Sequence, residues 1–93
     1  MKDLDPLLHN QLRLAIMSLL VAYEEISFSF IVDACNASRG NVSAQISKLE
    51  EAEYIQVNKS FRNKKPLTCI KITENGLKAM DDYTQALKDY LNL

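Results

Sequence analysis

Apolar residues at the start of the chain recur at the spacing of an α-helix. They lie three or four positions apart, at Leu8, Leu12, Ile16, Leu19, Leu20 and Tyr23. Asp5 and Pro6 precede this run and offer a capping carboxylate followed by a residue whose fixed φ suits a first helical turn. The pattern therefore predicts a helix from about Pro6 to Tyr23, within an N-terminal helical segment of residues 1–24.

The next segment, residues 26–53, combines a short strand signal with two helix signals. Ile26 to Phe30 alternates apolar with polar residues, which favours a very short strand, while Ser29 is a candidate cap for a short helix. Asn36 suits the left-handed end of that helix, and Ser38 suits the N-cap of another. Two short helices about three residues apart have helix-turn-helix spacing.

The second of these helices, at about residues 39–52, has an outer face of small and polar side chains. Val42, Ile46 and Leu49 recur at i, i+4 and i+7 and are predicted to face the core. The opposite side then carries Gly40, Ala44, Ser47 and Lys48. Such a face lets another large molecule approach the helix backbone closely.

A β-hairpin with a basic tip is predicted in residues 54–72. Residues 54–57 and 67–72 alternate apolar with polar positions and are typical of two strands. They are joined through residues 62–66, which have the sequence Arg-Asn-Lys-Lys-Pro.

The last helix, predicted over residues 73–93 with Thr73 as cap, carries two apolar stripes. At ~100° per residue the stripes lie ~120° apart, and they consist of Leu77, Met80, Leu87 and Leu91, and of Ala79, Tyr83, Ala86 and Tyr90. One stripe is expected to pack on the first helix and the other on a second copy of the chain. The alternative is a monomer with one broadly buried helix.

Composition and charge narrow the class of protein. The 93 residues are 47% hydrophobic and 25% charged, as expected for one folded domain. The sequence shows no apolar run of spanning length and no secretory signal, so we expect a cytoplasmic protein without a membrane partner. Cys35, Cys69 and His9 lie too far apart to indicate a disulfide framework or a zinc site.

Positive charge is concentrated in one third of the chain. The net charge is −1, but residues 38–65 hold six basic and three acidic residues and carry +3, which leaves −4 elsewhere. This segment contains both the helix with the small outer face and the basic hairpin tip. A local basic patch of this kind is typical of a nucleic-acid contact.

The ordered motifs of the chain resemble those of small winged-helix regulators akin to the MarR and ArsR groups. The matching segments are Leu4-Asp-Pro-Leu-Leu-His9, Arg13-Leu-Ala-Ile-Met-Ser-Leu-Leu20, Gly40-Asn-Val-Ser43, Lys48-Leu-Glu-Glu-Ala52, Lys64-Lys-Pro66 and Lys71-Ile-Thr-Glu-Asn-Gly76. The resemblance implies an α+β, mostly α fold: a three-helix core with a helix-turn-helix, a two-stranded wing with a short first strand, and a long C-terminal dimerisation helix. It also implies a homodimeric transcriptional regulator that binds a pseudo-palindromic operator in double-stranded DNA.

Two departures from the family pattern bear on this expectation. Glu53 stands where a glycine is usual, so the turn there must avoid a positive φ or accept strain. Ala44 and Ser47 stand where relatives often have arginine, which removes direct contacts to phosphate or guanine.

The predicted DNA contacts lie on the recognition helix, about residues 39–52, and on the wing, residues 61–66. They are Ser38, Arg39, Gly40, Asn41, Ser43, Ala44, Gln45, Ser47, Lys48, Arg62, Asn63, Lys64 and Lys65. Arg39 is expected to contact guanine, Asn41 and Gln45 to contact adenine, and Lys48 to contact a phosphate. The wing is expected to contact the flanking minor groove or the DNA backbone. The predicted dimer interface consists of Leu4, Leu7, Leu8, Ala79, Tyr83, Ala86, Leu87, Tyr90 and Leu91.

Other classes of function are also considered. No nucleophile with a base, and no metal cluster, is indicated, so neither catalysis nor a cofactor is expected. A winged helix that binds proteins and not specific DNA is the main alternative. Redox sensing at Cys69 and control by an unidentified small-molecule effector stay open.

Overall fold

The computed structural model describes residues 2–93, and within them lie four α-helices and a three-stranded antiparallel sheet. The elements in chain order are α1 (Gln11–Tyr23), β1 (Glu25–Ser27), α2 (Phe28–Cys35), α3 (Arg39–Glu51), β2 (Ile55–Arg62), β3 (Lys65–Ile72) and α4 (Glu74–Leu91). The strand order is β1-β3-β2. The predicted fold class, a winged helix-turn-helix with a long last helix, is confirmed.

One apolar core joins the helices to the inner face of the sheet. α1 lies at its centre and contacts α2, α3, α4 and β3. The buried residues are Leu8, Ile16, Met17, Leu20, Ile31, Val42, Ile46, Leu49, Ile55, Ile70, Ile72, Tyr83 and Ala86. Burying one large aliphatic side chain contributes about 1.5–3 kcal/mol, so this set fixes how α3 and the hairpin sit on the rest of the domain.

The predicted start of the first helix at Pro6 is wrong, because α1 begins at Gln11. Asp5 does cap a turn, since its Oδ1 accepts a hydrogen bond from Leu7 N at 2.9 Å. That turn is not continued, because Asn10 is extended and caps the helix afresh by accepting from Arg13 N at 3.0 Å. His9 therefore lies in the turn before α1 and not in its first helical turn.

The helix-turn-helix forms where the sequence indicated, with one cap displaced. Ser27, not Ser29, caps α2 by accepting from Phe30 N at 3.0 Å, and the short strand ends at the same residue. Asn36 is left-handed at φ 50°, and Ser38 Oγ accepts from Asn41 N at 3.1 Å, both as predicted. The N-cap of α3 thus lies two residues after the left-handed end of α2.

The strands of the wing are longer than predicted, and only Asn63 and Lys64 lie between them. Both residues have positive φ, 53° and 64°, as the two-residue turn of a tight hairpin requires. The prediction placed Pro66 in the connection, but it pairs with Phe61 inside the ladder. β1 pairs only with residues 69–71 of β3, so Pro66 lies where β3 is a free edge and its missing N–H costs no hydrogen bond.

Glu53 adopts the positive φ that the family pattern satisfies with glycine. Its φ is 64°, and the helix end is closed by hydrogen bonds from Glu53 N to Glu50 O at 2.9 Å and from Tyr54 N to Leu49 O at 3.0 Å. The chain therefore accepts the strain of a left-handed non-glycine residue at the α3–β2 turn.

Replacing Glu53 by glycine is expected to stabilise the fold by roughly 0.5–1 kcal/mol, because the left-handed strain exceeds the added backbone entropy of the unfolded chain. The free energy of unfolding from urea denaturation measures the change. Glu53→Ala is the matched control, since it removes the same charge but keeps the Cβ atom at positive φ. Equal stabilities of the two variants would contradict the strain argument.

Three residues of the predicted dimer interface lie in the core of the single chain. Leu8, Tyr83 and Ala86 are 0%, 5% and 2% exposed. Leu8 belongs to the core cluster, and the Ala79–Tyr83–Ala86 stripe of α4 packs inward. The prediction for these three is corrected accordingly, since a buried side chain offers no surface to a partner. Tyr90 and Leu91 of the same prediction are exposed.

Candidate nucleic-acid interface

The outer face of α3 is open to solvent and made of short side chains. Gly40, Ser43, Ala44 and Ser47 are exposed, and a Cβ atom built at Gly40 would meet no atom within 4 Å. Val42, Ile46 and Leu49 are buried on the inner side, as predicted. The outer face of α3 is therefore a low surface, in the sense that its short side chains let another macromolecule approach the helix backbone closely.

Longer polar side chains frame this low surface. Arg39 and Asn41 stand in the first turn of α3, and Lys48 stands near its last turn; all three are exposed. The Arg39 guanidinium lies 4.8 Å from the centroid of the Phe28 ring, a cation–π contact that orients it beside α2. The free N–H groups of the first turn add positive potential to the same end of α3.

Gln45 differs from the other predicted contact residues, because it is half-buried and faces α1. Its Oε1 accepts a hydrogen bond from the guanidinium of Arg13 at 2.5 Å, and its Nε2 donates to Asn41 Oδ1 at 3.0 Å. Arg13 in turn donates from Nε to the Leu7 carbonyl at 2.6 Å. The side chain expected to contact adenine is therefore committed to a chain of hydrogen bonds inside the domain.

A groove runs between α3 and the base of the wing, and the sequence prediction missed one of its cations. The groove is lined by Phe28, Arg39, Ser43, Ile46, Ser47, Glu50, Val57, Lys59 and Thr68. Lys59 is exposed and shares a sheet face with Ile55 and Val57, which point toward α3. The period-two alternation of β2 carried this signal, because it places Lys59 on the face of the core residues.

The tip of the wing carries the predicted cations and one unpredicted aromatic ring. Arg62, Asn63, Lys64 and Lys65 are all exposed. Phe61 is 77% exposed, pairs with Pro66 across the hairpin and lies on the same sheet face as Lys59. Basic side chains and an apolar pair thus extend the surface of α3 along the wing.

The N-terminal segment is tied to the rest of the domain by two tyrosines. The Tyr54 hydroxyl donates to Asp5 Oδ2 at 2.6 Å, and the Tyr83 hydroxyl shares a hydrogen bond of 2.9 Å with His9 Nδ1. Partial burial and then the Asp5 carboxylate raise the pKa of Tyr54 to about 12. These contacts account for His9 as a structural residue that holds α4 to the turn before α1.

The remaining features of the described residues are the possible metal ligands, the length and polarity of the helices, and the two cysteines. Across residues 2–93, no three His, Cys, Asp or Glu side chains are grouped so as to hold a metal ion. No helix in that range is both long and apolar enough to cross a bilayer. Cys35 and Cys69 are free and half-buried, and burial raises the pKa of the Cys35 thiol.

Comparison with known proteins agrees with this architecture. Residues 12–91 match the family described as the winged helix DNA-binding domain. An uncharacterized protein from Methanocaldococcus jannaschii is 31% identical over 75 residues, which cover 81% of this chain and 82% of that protein. The resemblance drawn from the sequence motifs is thereby confirmed.

Solved structures share the same fold. A transcriptional regulator homologue from Pyrococcus horikoshii OT3 has a TM-score of 0.87 and 27% identity, and the match covers 92% of this chain and 85% of that one. A mutant of MepR from S. aureus, bound to an oligodeoxyribonucleotide, has a TM-score of 0.72 and 18% identity. That match covers 89% of this chain and 60% of MepR, and at this identity it is a likeness of fold alone. On the family match and the described helix-turn-helix and wing, the chain belongs to the winged helix DNA-binding domain family of transcriptional regulators.

Proposed function

We propose that this protein is a sequence-specific DNA-binding regulator of transcription that acts as a homodimer, and not an enzyme. The observation that carries the proposal is one continuous surface. The low outer face of α3 borders the groove containing Lys59, and the strands of the wing lead from that groove to the basic tip. The positive charge of the chain is concentrated in the same segment, residues 38–65.

α3 is proposed to enter the major groove of DNA. That groove is ~12 Å wide and admits an α-helix, and short side chains on the contacting face let the helix backbone come close to the bases. Gly40, Ser43, Ala44 and Ser47 provide such a face, since all are small and exposed. Arg39 then reaches guanine edges from the first turn, and Lys48 meets a phosphate near the far end.

The wing is proposed to lie along the flanking minor groove and sugar-phosphate backbone. Arg62, Lys64 and Lys65 supply charge, which contributes affinity through counterion release and little base information. Lys59 adds a phosphate contact between α3 and the wing. Phe61 is proposed to pack on sugars at the groove edge, because an exposed ring beside cations suits a surface that is both apolar and anionic.

The homodimer is proposed to form through the outer end of α4. Leu87 and Leu91 lie four positions apart on one stripe of α4, Tyr90 ends the neighbouring stripe, and Leu93 follows the helix. Tyr90, Leu91 and Leu93 are 46%, 58% and 86% exposed, so the last turns of α4 project an apolar surface beyond the core. A second copy of α4 is the proposed occupant, and the two α3 helices of the dimer would then lie ~34 Å apart.

Substituting Tyr90→Asp and Leu91→Asp together is expected to raise the dimer dissociation constant by at least ~100-fold, because each protomer would bury two added charges at the interface. Sedimentation equilibrium measures this constant. Both residues are exposed in the single chain, so the monomer is expected to stay folded.

The control makes the same net charge change of −2 per protomer on the polar side of α4, as Gln85→Asp with Lys88→Gln. A dimer equally weakened by both double variants, or unchanged by the first, would contradict this interface.

Selection of bound sequences from a random DNA pool tests the proposed function. A regulator of this type is expected to enrich a pseudo-palindromic motif with half-sites about one turn apart. The competing function is a winged helix that binds proteins, and the overall charge of −1 and the uncharged side chains of Ala44 and Ser47 on the outer face of α3 favour it. Failure to enrich any motif would support that alternative.

A further inference from the structure

We propose that Arg13 on α1 sets the base preference of the recognition helix by fixing Asn41 as a hydrogen-bond donor. The inference rests on the proposed function and adds a specificity-determining residue outside α3. It follows from the direction of hydrogen bonding along Arg13, Gln45 and Asn41. Arg13 is a positioning residue in this account, since it acts on DNA through two other side chains.

Arg13 sets the donor-to-acceptor direction of these hydrogen bonds, because a guanidinium has only donors. Its Nε donates to the Leu7 carbonyl at 2.6 Å, and its terminal Nη1 donates to Gln45 Oε1 at 2.5 Å. The amide of Gln45 must therefore turn its oxygen toward Arg13. An amide turned the other way would set two donors against each other.

The next step follows from the geometry of the Gln45 amide. With Oε1 held by Arg13, the Nε2 group faces Asn41 and donates to Oδ1 at 3.0 Å. Asn41 thus directs its oxygen inward along α3. Its two Nδ2 donors are left for an outside partner on an exposed side chain in the first helical turn.

The Leu7 carbonyl, which accepts from Arg13, is held in a fixed position by the rest of the domain. The Leu7 carbonyl belongs to the turn before α1, which is held by hydrogen bonds of Asp5 with Leu7 N and with Tyr54. Arg13 and Gln45 are both half-buried, where charge-assisted hydrogen bonds are stronger than in water. A free amide flips readily, but this one is held by a fixed donor.

With Oδ1 turned inward toward Gln45, Asn41 directs its Nδ2 donors outward while Oδ1 keeps one free lone pair, and this orientation changes which base it favours. Adenine in the major groove offers one acceptor and one donor, so its bidentate recognition by asparagine requires both amide atoms. Guanine offers two acceptors, O6 and N7. Asn41 held by this chain is therefore expected to favour guanine over adenine, in contrast to the adenine contact expected from residue type alone.

The test is selection from random DNA with wild-type protein and three variants. Asn41→Ala first identifies the operator position that this residue contacts, as the position whose preference disappears. Arg13→Met removes every donor of the guanidinium. Gln45→Met interrupts the hydrogen bonds between Arg13 and Asn41 while keeping Arg13. Arg13→Lys retains one donor toward Gln45 and serves as the conservative rescue.

The expected result is a guanine preference at that position in the wild type and a shift of about 5- to 10-fold toward adenine in Arg13→Met and Gln45→Met. The other positions keep their preferences, and Arg13→Lys stays close to wild type. A purely structural role of Arg13 would instead weaken binding at all positions alike. Any one of three results would overturn the inference: weakening at all positions alike, an adenine preference in the wild type, or an unchanged base profile in both Arg13→Met and Gln45→Met.

Circular dichroism shows whether each variant is folded. If Arg13→Met does not fold, the base preference of Gln45→Met tests the inference. The failure of the proposed function is distinguishable, because the wild type would then enrich no motif at all. A motif in which no position depends on Asn41 would overturn the inference alone.

Discussion

Replacing Lys64 and Lys65 by alanine is expected to weaken operator binding about 100-fold at ~0.1 M salt and to flatten its salt dependence. Both side chains are exposed at the wing turn, and a dimer loses four cations through the double substitution. Each lost phosphate contact lowers the slope of log K against log salt by about 0.9, so the total change approaches about 3 to 4. Fluorescence anisotropy over a series of salt concentrations measures both quantities.

Two controls separate the position of the wing from charge in general. Lys78→Ala with Lys88→Ala removes the same charge from exposed positions of α4 and is expected to change the slope little. Phe61→Ala is expected to lower affinity a few-fold with the slope intact, since it removes an apolar contact and no cation. Equal effects of the wing and α4 double variants would show that the wing does not contact DNA.

Replacing Gly76 by alanine is expected to destabilise the fold by about 3 kcal/mol, at the upper end of typical overpacking costs. Gly76 is buried in the first turn of α4, and a Cβ atom there would lie 2.2 Å from the Tyr54 carbonyl oxygen and 2.8 Å from Ile72 Cγ1. The first obstacle is backbone, which cannot move aside as a side chain does. Urea denaturation measures the loss.

Gly40→Ala is the matched control for this glycine. Its added Cβ atom would meet nothing within 4 Å, and alanine is the better helix former by about 1 kcal/mol, so α3 should become slightly more stable. If both glycine variants changed stability alike, the close approach of α4 to Tyr54 would not explain the need for Gly76.

Much of the fold followed from local patterns. The apolar periodicity of α3 and the caps at Ser38 and Thr73 predicted their elements, because each signal acts within one or two turns of chain. The start of α1 was missed because Asp5 and Asn10 are both good caps, and the sequence does not show which turn continues. Pro66 was placed in the turn because a proline inside a strand needs a free edge. That edge of β3 is free because β1 pairs only with residues 69–71, and this tertiary pairing is not visible in the sequence.

The site was less predictable than the fold. Residue type suggested that Gln45 contacts DNA, but its partner Arg13 lies 32 residues away on another helix. Lys59 and Phe61 were missed although the alternation of β2 placed them on the face toward α3. Likewise the two stripes of α4 were visible in the sequence, but only packing shows that Tyr83 and Ala86 face inward.

The central claim is that this chain recognises a particular DNA sequence. The most direct measurement is an anisotropy titration of the protein into the selected operator and into a scrambled duplex, at ~0.05 M and ~0.15 M salt. The account predicts two protomers per operator, binding that persists at the higher salt, and at least ~1,000-fold preference over the scrambled duplex. Equal binding to both duplexes that is lost at the higher salt would contradict it.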